Sequence, residues 1–279
     1  MKRIAFTTVA LAIAASAWAY AGVRPPSTLD RIRRKGVVRA GIAFEPPWVY
    51  RLPNGRVAGE APEVLQAAMH ALGVDSIEWV PTWFGSLLLE LDAGTFDVIA
   101  AGLYRTDERA ARVLFTRPTL TVATVMLVRG PDSARTPTLE ALAARTDGRV
   151  AVLAGAVEGT LAADAGLDST RRLEVPDILT GVAALDAGEV DALLLSAPSI
   201  LAIQRARPGE AAALAVVPLD TTRRPGLVGH PAFAFRRTDR SLRNAVDDVL
   251  GHYLGSPAHR RLLTGLGLDA TIASSGADP

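Results

Sequence analysis

The sequence has 279 residues, 49% of them hydrophobic and 21% charged, with a mean hydropathy of +0.23, which excludes a mini-protein and a disordered chain and allows two lobes of about 100–130 residues each. Basic and acidic residues number 30 and 29, so the chain lacks the broad positive face of a nucleic-acid binder. With no cysteine, disulfides, zinc ribbons, thiol nucleophiles and a lipidated N-terminal cysteine are excluded as well.

In chain order, residues 1–21 carry the pattern of a secretory signal peptide. Lys2 and Arg3 precede an apolar run from Ile4 to Ala15, and small residues surround Trp18, so cleavage is expected near Ala19 or Ala21. No later stretch approaches the roughly 18 continuous apolar residues of a membrane span, and the mature chain is expected to be free in the periplasm. Strands are predicted over Val37–Ile42, Ile77–Pro81, Val98–Ala101, Val122–Val128, Val150–Leu153, Val190–Leu195, Leu214–Pro218 and Ala232–Phe235. Helices are predicted between them over Pro62–Leu72, Ser86–Asp92, Leu139–Ala144, Val157–Ala165, Ile178–Asp186, Leu242–Leu254 and Pro257–Leu266. Such alternation means an α/β fold.

One segment is nearly repeated. Leu91-Asp92-Ala93-Gly94-Thr95-Phe96-Asp97 is echoed by Leu185-Asp186-Ala187-Gly188-Glu189-Val190-Asp191. Each copy reads as a helix end, a glycine cap and an aspartate that leads into an apolar strand. Two similar α/β lobes follow, with a ligand expected beyond the strand ends, at Gly102–Thr106 and Ser196–Ser199. The chain is expected to cross between lobes near Arg129 and Pro225, which gives a discontinuous first lobe (28–128 plus 226–279) and a second lobe (129–225).

The segments Leu29-Asp30-Arg31-Ile32, Gly36-Val37-Val38-Arg39-Ala40-Gly41, Gly59-Glu60-Ala61-Pro62-Glu63-Val64 and Ala101-Gly102-Leu103-Tyr104-Arg105-Thr106-Asp107-Glu108-Arg109 resemble the family-3 extracellular solute-binding proteins of ABC importers. Glu45-Pro46-Pro47-Trp48 makes the ectoine- and hydroxyectoine-binding subgroup the most similar. The resemblance implies a type II periplasmic binding protein fold, in which each lobe is a mostly parallel sheet flanked by helices and the ligand cleft lies at the hinge. It also implies a monomer that delivers a small zwitterionic solute, ectoine-like or a polar amino acid, to a membrane permease, without cofactor, metal or catalytic residues.

Arg109 carries the sharpest chemistry, since a guanidinium matches a carboxylate with paired charge-assisted hydrogen bonds, and the resemblance places the carboxylate-binding arginine there. Thr106 or Asp107 is expected to cap a short helix just after a strand end. Trp48, Phe84 and Tyr104 offer ring faces to a cation, with Trp83 competing with Phe84 for the cleft. Glu45 supplies a carboxylate for a cationic nitrogen. Ala156 and Val157, after Gly155, open a helix whose free N–H groups suit an anion. Ser196 stands where amino-acid binders of the family typically carry aspartate. Two alternatives stay open: a periplasmic enzyme on this fold, similar to cyclohexadienyl dehydratases, with Glu45 as acid or base, and a binding protein tied to a dehydrogenase. The histidines His70, His230, His252 and His259 are dispersed and form no HExxH pattern.

Overall fold

The apolar runs condense into two mixed sheets in a computed structural model that describes residues 26–208, 213–222 and 224–268. The signal peptide expected over 1–21 lies outside the described residues. The chain starts with α1 (Thr28–Lys35), β1 (Val37–Ile42), β2 (Tyr50–Arg51), β3 (Val57–Ala58), α2 (Glu60–Ala71), β4 (Ser76–Pro81), α3 (Leu87–Asp92), β5 (Val98–Ile99), α4 (Asp107–Arg112), β6 (Val113–Phe115) and the long β7 (Val122–Arg129). It continues through α5 (Leu139–Ala144), β8 (Val150–Leu153), α6 (Val157–Asp164), β9 (Arg172–Val175), α7 (Ile178–Asp186), β10 (Ala192–Ser196), α8 (Ala197–Ala206) and β11 (Leu214–Pro218). It returns through β12 (Val228–Gly229) and β13 (Ala234–Arg236) to α9 (Arg240–Tyr253) and α10 (Pro257–Leu266).

Strand order is β4-β1-β5-β13-β6 in the first sheet and β11-β7-β10-β8-β9 in the second. The expected parallel pairing holds for β4-β1-β5 and for β9-β8-β10. The remaining pairs are antiparallel because β13 and β7 run back beside β5 and β10. The two sheets therefore repeat one plan, and the near-repeat sits at the same place in each. Gly94 and Gly188 adopt left-handed φ values of 76° and 74° that end α3 and α7. The next aspartate then clips the chain to a neighbouring strand. The Asp97 N–H donates to Arg39 O and the Asp191 N–H to Arg149 O, at 2.8 and 2.9 Å. In return the carboxylates of Asp97 and Asp191 accept from the N–H groups of Arg39 and Arg149, at 3.1 and 2.9 Å.

Among the described residues β7 pairs only within the second sheet: Val122 and Ala123 with β12, Thr124–Val128 with β10 and Val125–Arg129 with β11. It is mostly buried. Three helices escape the apolar pattern. α1 buries only Leu29 and Ile32 among five charged residues, yet a capping box between Ser27 and Asp30 fixes its start. α4 is a single short turn capped by Thr106. α8 carries Pro198 in its first turn, where proline is tolerated because the first N–H groups have no helical partner. β9, with the sequence Arg-Leu-Glu-Val, is a strand too polar to read as one.

Asp97 also anchors a cluster of arginines. Its fully buried carboxylate meets Arg31 of α1 at 2.7 Å, Arg39 of β1 at 3.1 Å and Arg236 of β13 at 3.2 Å. Burial alone would raise its pKa, but hydrogen bonds from Arg31 and Arg39 outweigh that and hold it below the ordinary carboxylate value. Its contribution to stability is present above about pH 4, the unfolded carboxylate value, and is lost as pH falls through the lower value of the folded state. Asp97→Asn is expected to remove about 3 kcal/mol of stability at neutral pH, measured by urea denaturation. An unchanged midpoint would show that the cluster ties nothing together.

Candidate ligand-binding site

The residues that follow β1 and β5 and those at the ends of β8 and β10 enclose one small cavity. Nine of the ten predicted residues line it: Glu45, Trp48, Phe84, Gly102, Tyr104 and Arg109 from one side, and Ala156, Val157 and Ser196 from the other. Thr106 does not. Its hydroxyl caps α4 by accepting the Arg109 N–H at 3.2 Å, so it acts on the cavity only by fixing the helix that carries Arg109. The cavity volume is about 20 Å3, close to that of a single water. An outer cavity of about 610 Å3 adjoins it, sharing Glu45, Phe84 and Leu153 and lined further by Phe44, Trp83 and Leu179. Of the Trp83-Phe84 pair, Phe84 thus reaches the inner cavity, while Trp83 is 60% exposed and lines only the outer one.

The rings are positioned by backbone. Gly102 has φ +65°, and a Cβ there would lie 2.8 Å from Cγ and Cδ2 of Trp48, so glycine lets the indole lie against the chain. Tyr104 packs in the same way against Gly229. Both rings are buried and belong to the hydrophobic core around β1 and α2.

Polar contacts cross the cleft in three places. Arg109 donates through Nη1 to Tyr104 O and through Nη2 to Gly155 O, both at 2.8 Å. That leaves the other guanidinium N–H groups for a solute. Trp48 Nε1 donates to Ser196 Oγ at 3.1 Å. Ser196 Oγ and Ser199 Oγ are hydrogen-bonded at 2.8 Å, and Ser199 Oγ donates to Glu45 Oε1 at 2.6 Å. Because the Ser199 hydrogen goes to Glu45, the Ser196 hydrogen points to Ser199, and the relay runs in one direction from Trp48 to Glu45. Ser196 also caps α8, accepting the Ser199 N–H at 3.3 Å. Its oxygen is therefore fully engaged, and it offers no charge to a cation.

Glu45, Glu158 and Arg109 are only 8%, 5% and 8% exposed. Burial pushes the Glu45 carboxyl up to about 7, against the lowering effect of the Ser199 hydrogen bond, and the charge of Glu158 adds to the rise. Burial also raises Glu158, although its own backbone N–H, Arg109 and Thr124 favour the charged form. Tyr104 is pushed well above 10 by burial and by the two glutamates. Burial lowers Arg109, and Glu158 and Glu108 counter it. Glu158 is the residue that sequence reasoning missed, whereas Ser199 lies at the end of the Ser196–Ser199 edge expected to meet the ligand. An acid in the first turn of a helix that starts at a strand's C-terminal edge was the available signal, but the same position equally suits an exposed acid stabilised by the helix dipole.

Residues 38–263 match the model of the family described as bacterial extracellular solute-binding proteins, family 3. The chain is similar to a probable amino-acid ABC transporter periplasmic-binding protein of Sinorhizobium fredii, 28% identical over 277 residues, 98% of this chain and 89% of that one. Among solved structures it is similar to EhuB in complex with hydroxyectoine, at TM-score 0.79 and 27% identity, covering 88% of this chain and 94% of that one. An ancestral amino-acid-binding protein, a precursor of cyclohexadienyl dehydratase, shares the fold at TM-score 0.74 and 24% identity, with coverage of 86% and 99%.

Gly102→Ala is expected to displace the Trp48 indole and to cost about 1–2 kcal/mol for a left-handed residue bearing a side chain. Near-UV circular dichroism reads the first effect and thermal unfolding the second. An unaltered near-UV spectrum would contradict the role given to Gly102.

Proposed function

We propose, for a chain that belongs to family 3 of the bacterial extracellular solute-binding proteins, that the cleft closes on a small zwitterion and presents it to the permease of an ABC importer. The observation that carries this reading is the buried guanidinium of Arg109 in one cavity with the carboxylate of Glu45 and the rings of Trp48, Phe84 and Tyr104. Arg109 takes the solute carboxylate, Glu45 takes its cationic end, and the solute replaces contacts that the two lobes otherwise make with each other. Ser196 is uncharged and already bonded to Trp48, so the site favours a delocalised or alkylated cation, as in ectoine, over a primary ammonium, which needs a compensating carboxylate or several acceptors.

The lobes move about the crossing where β12 pairs with β7, a hinge of the kind that closes around ligands. The protein acts in the periplasm as a monomer after removal of residues 1–21. Among the described residues no helix is long and apolar enough to cross a membrane. We infer no enzymatic activity. The one observation that favours acid–base chemistry is Glu45, with its pKa raised to about 7, and loss of prephenate or arogenate on incubation with the pure protein would reveal such chemistry.

A thermal-shift screen of ectoine, hydroxyectoine, glycine betaine, glutamine and arginine identifies the solute, since a ligand that binds only the native state raises its apparent stability. Calorimetry on Arg109→Ala should then show binding weaker by about 2–5 kcal/mol, as for truncation of a desolvated ion pair. Wild-type affinity in that variant would refute the carboxylate site.

A further inference from the structure

The cleft holds more negative charge than a zwitterion can balance. Glu45 comes from the segment after β1, in the first lobe, and Glu158 from the first turn of α6, in the second. The two carboxylates line one cavity of about 20 Å3, and both side chains are buried. The other charged or titratable groups facing it are Arg109 and the phenol of Tyr104, whose hydroxyl has no hydrogen-bond partner among the described residues. Glu108, on α4, acts on Arg109 from an exposed position. With both glutamates ionised, one guanidinium and a neutral solute leave a net charge of −1 in a site where an unpaired ion costs several kcal/mol. When the lobes separate, each carboxylate meets water independently and the conflict disappears.

We propose that closure over a zwitterionic solute draws one proton into the cleft, shared by Glu45 and Glu158, so that Glu158 sets the net charge of the solute the site accepts. The raised values of both glutamates agree with this. A solute with one carboxylate and two cationic nitrogens needs no proton, because its extra charge balances the second glutamate. The inference rests on the zwitterion reading above and adds the proton as a co-ligand, taken from the medium and released on opening.

The test is calorimetry of ectoine, or of glutamine where ectoine gives no heat, into the whole protein in two buffers of different ionisation enthalpy near pH 6, between the ordinary carboxylate value and the value of about 7 for the buried Glu45. The difference in observed heat should correspond to proton uptake approaching one per solute, and affinity should fall by up to about tenfold per pH unit between about pH 5 and 7 and level off above that. Glu158→Gln should bring the proton count close to zero and flatten the pH dependence, with thermal unfolding as the check on its fold. A second measurement needs no variant: arginine, with its additional cation, should bind without proton uptake wherever it binds. A zwitterion bound by the wild type with no proton uptake, or with the same uptake in Glu158→Gln, overturns the proposal and leaves the solute reading standing. If neither ectoine nor glutamine binds, the solute reading itself fails, and this inference falls with it.

Discussion

Two carboxylates and one guanidinium are buried around one small cavity, and the surrounding architecture makes that arrangement tolerable. A buried ion is stable only where its donors or acceptors are already in place. Arg109 meets this condition with two main-chain carbonyls, one from each lobe. Glu45 meets it with a hydroxyl on the opposite lobe, and Glu158 with Thr124 of β7 at 3.5 Å. Gly155 O and Ser199 Oγ lie across the cleft from the groups they serve, whereas Tyr104 O and Thr124 lie on the same side as theirs. The electrostatics of the site are therefore inseparable from closure.

The partners are delivered by a plan that the chain uses twice. In each lobe a helix ends in a left-handed glycine, and an aspartate stitches the next residues to a neighbouring strand before β5 or β10 begins. This stitch fixes where the strand starts. The end of β5 leads to Gly102, Tyr104 and Arg109, and the end of β10 is Ser196. Gly85 and Gly155 meet between the lobes, where a Cβ on Gly155 would lie 2.7 Å from Gly85 Cα. Only small residues at that contact let α6 approach closely enough for Gly155 O to reach Arg109.

Much of this was legible in the sequence because it depends on local pattern. The apolar runs became strands, the glycine-aspartate echo became the repeated stitch, and the residues beyond β5 and β10 converged as strand-end geometry requires. What stayed hidden depends on direction and distance rather than pattern. Glu158 looks like any acid in a helix's first turn until the fold turns it inward.

The most direct measurement is a crystal structure of the complex with the solute that the stability screen selects. The account requires the solute carboxylate at about 3 Å from the Arg109 guanidinium, its cationic end toward Glu45 and the indole of Trp48, and Glu158 within the same closed cavity. A solute lodged in the outer cavity beside Trp83, with the guanidinium of Arg109 free of it, would contradict the account.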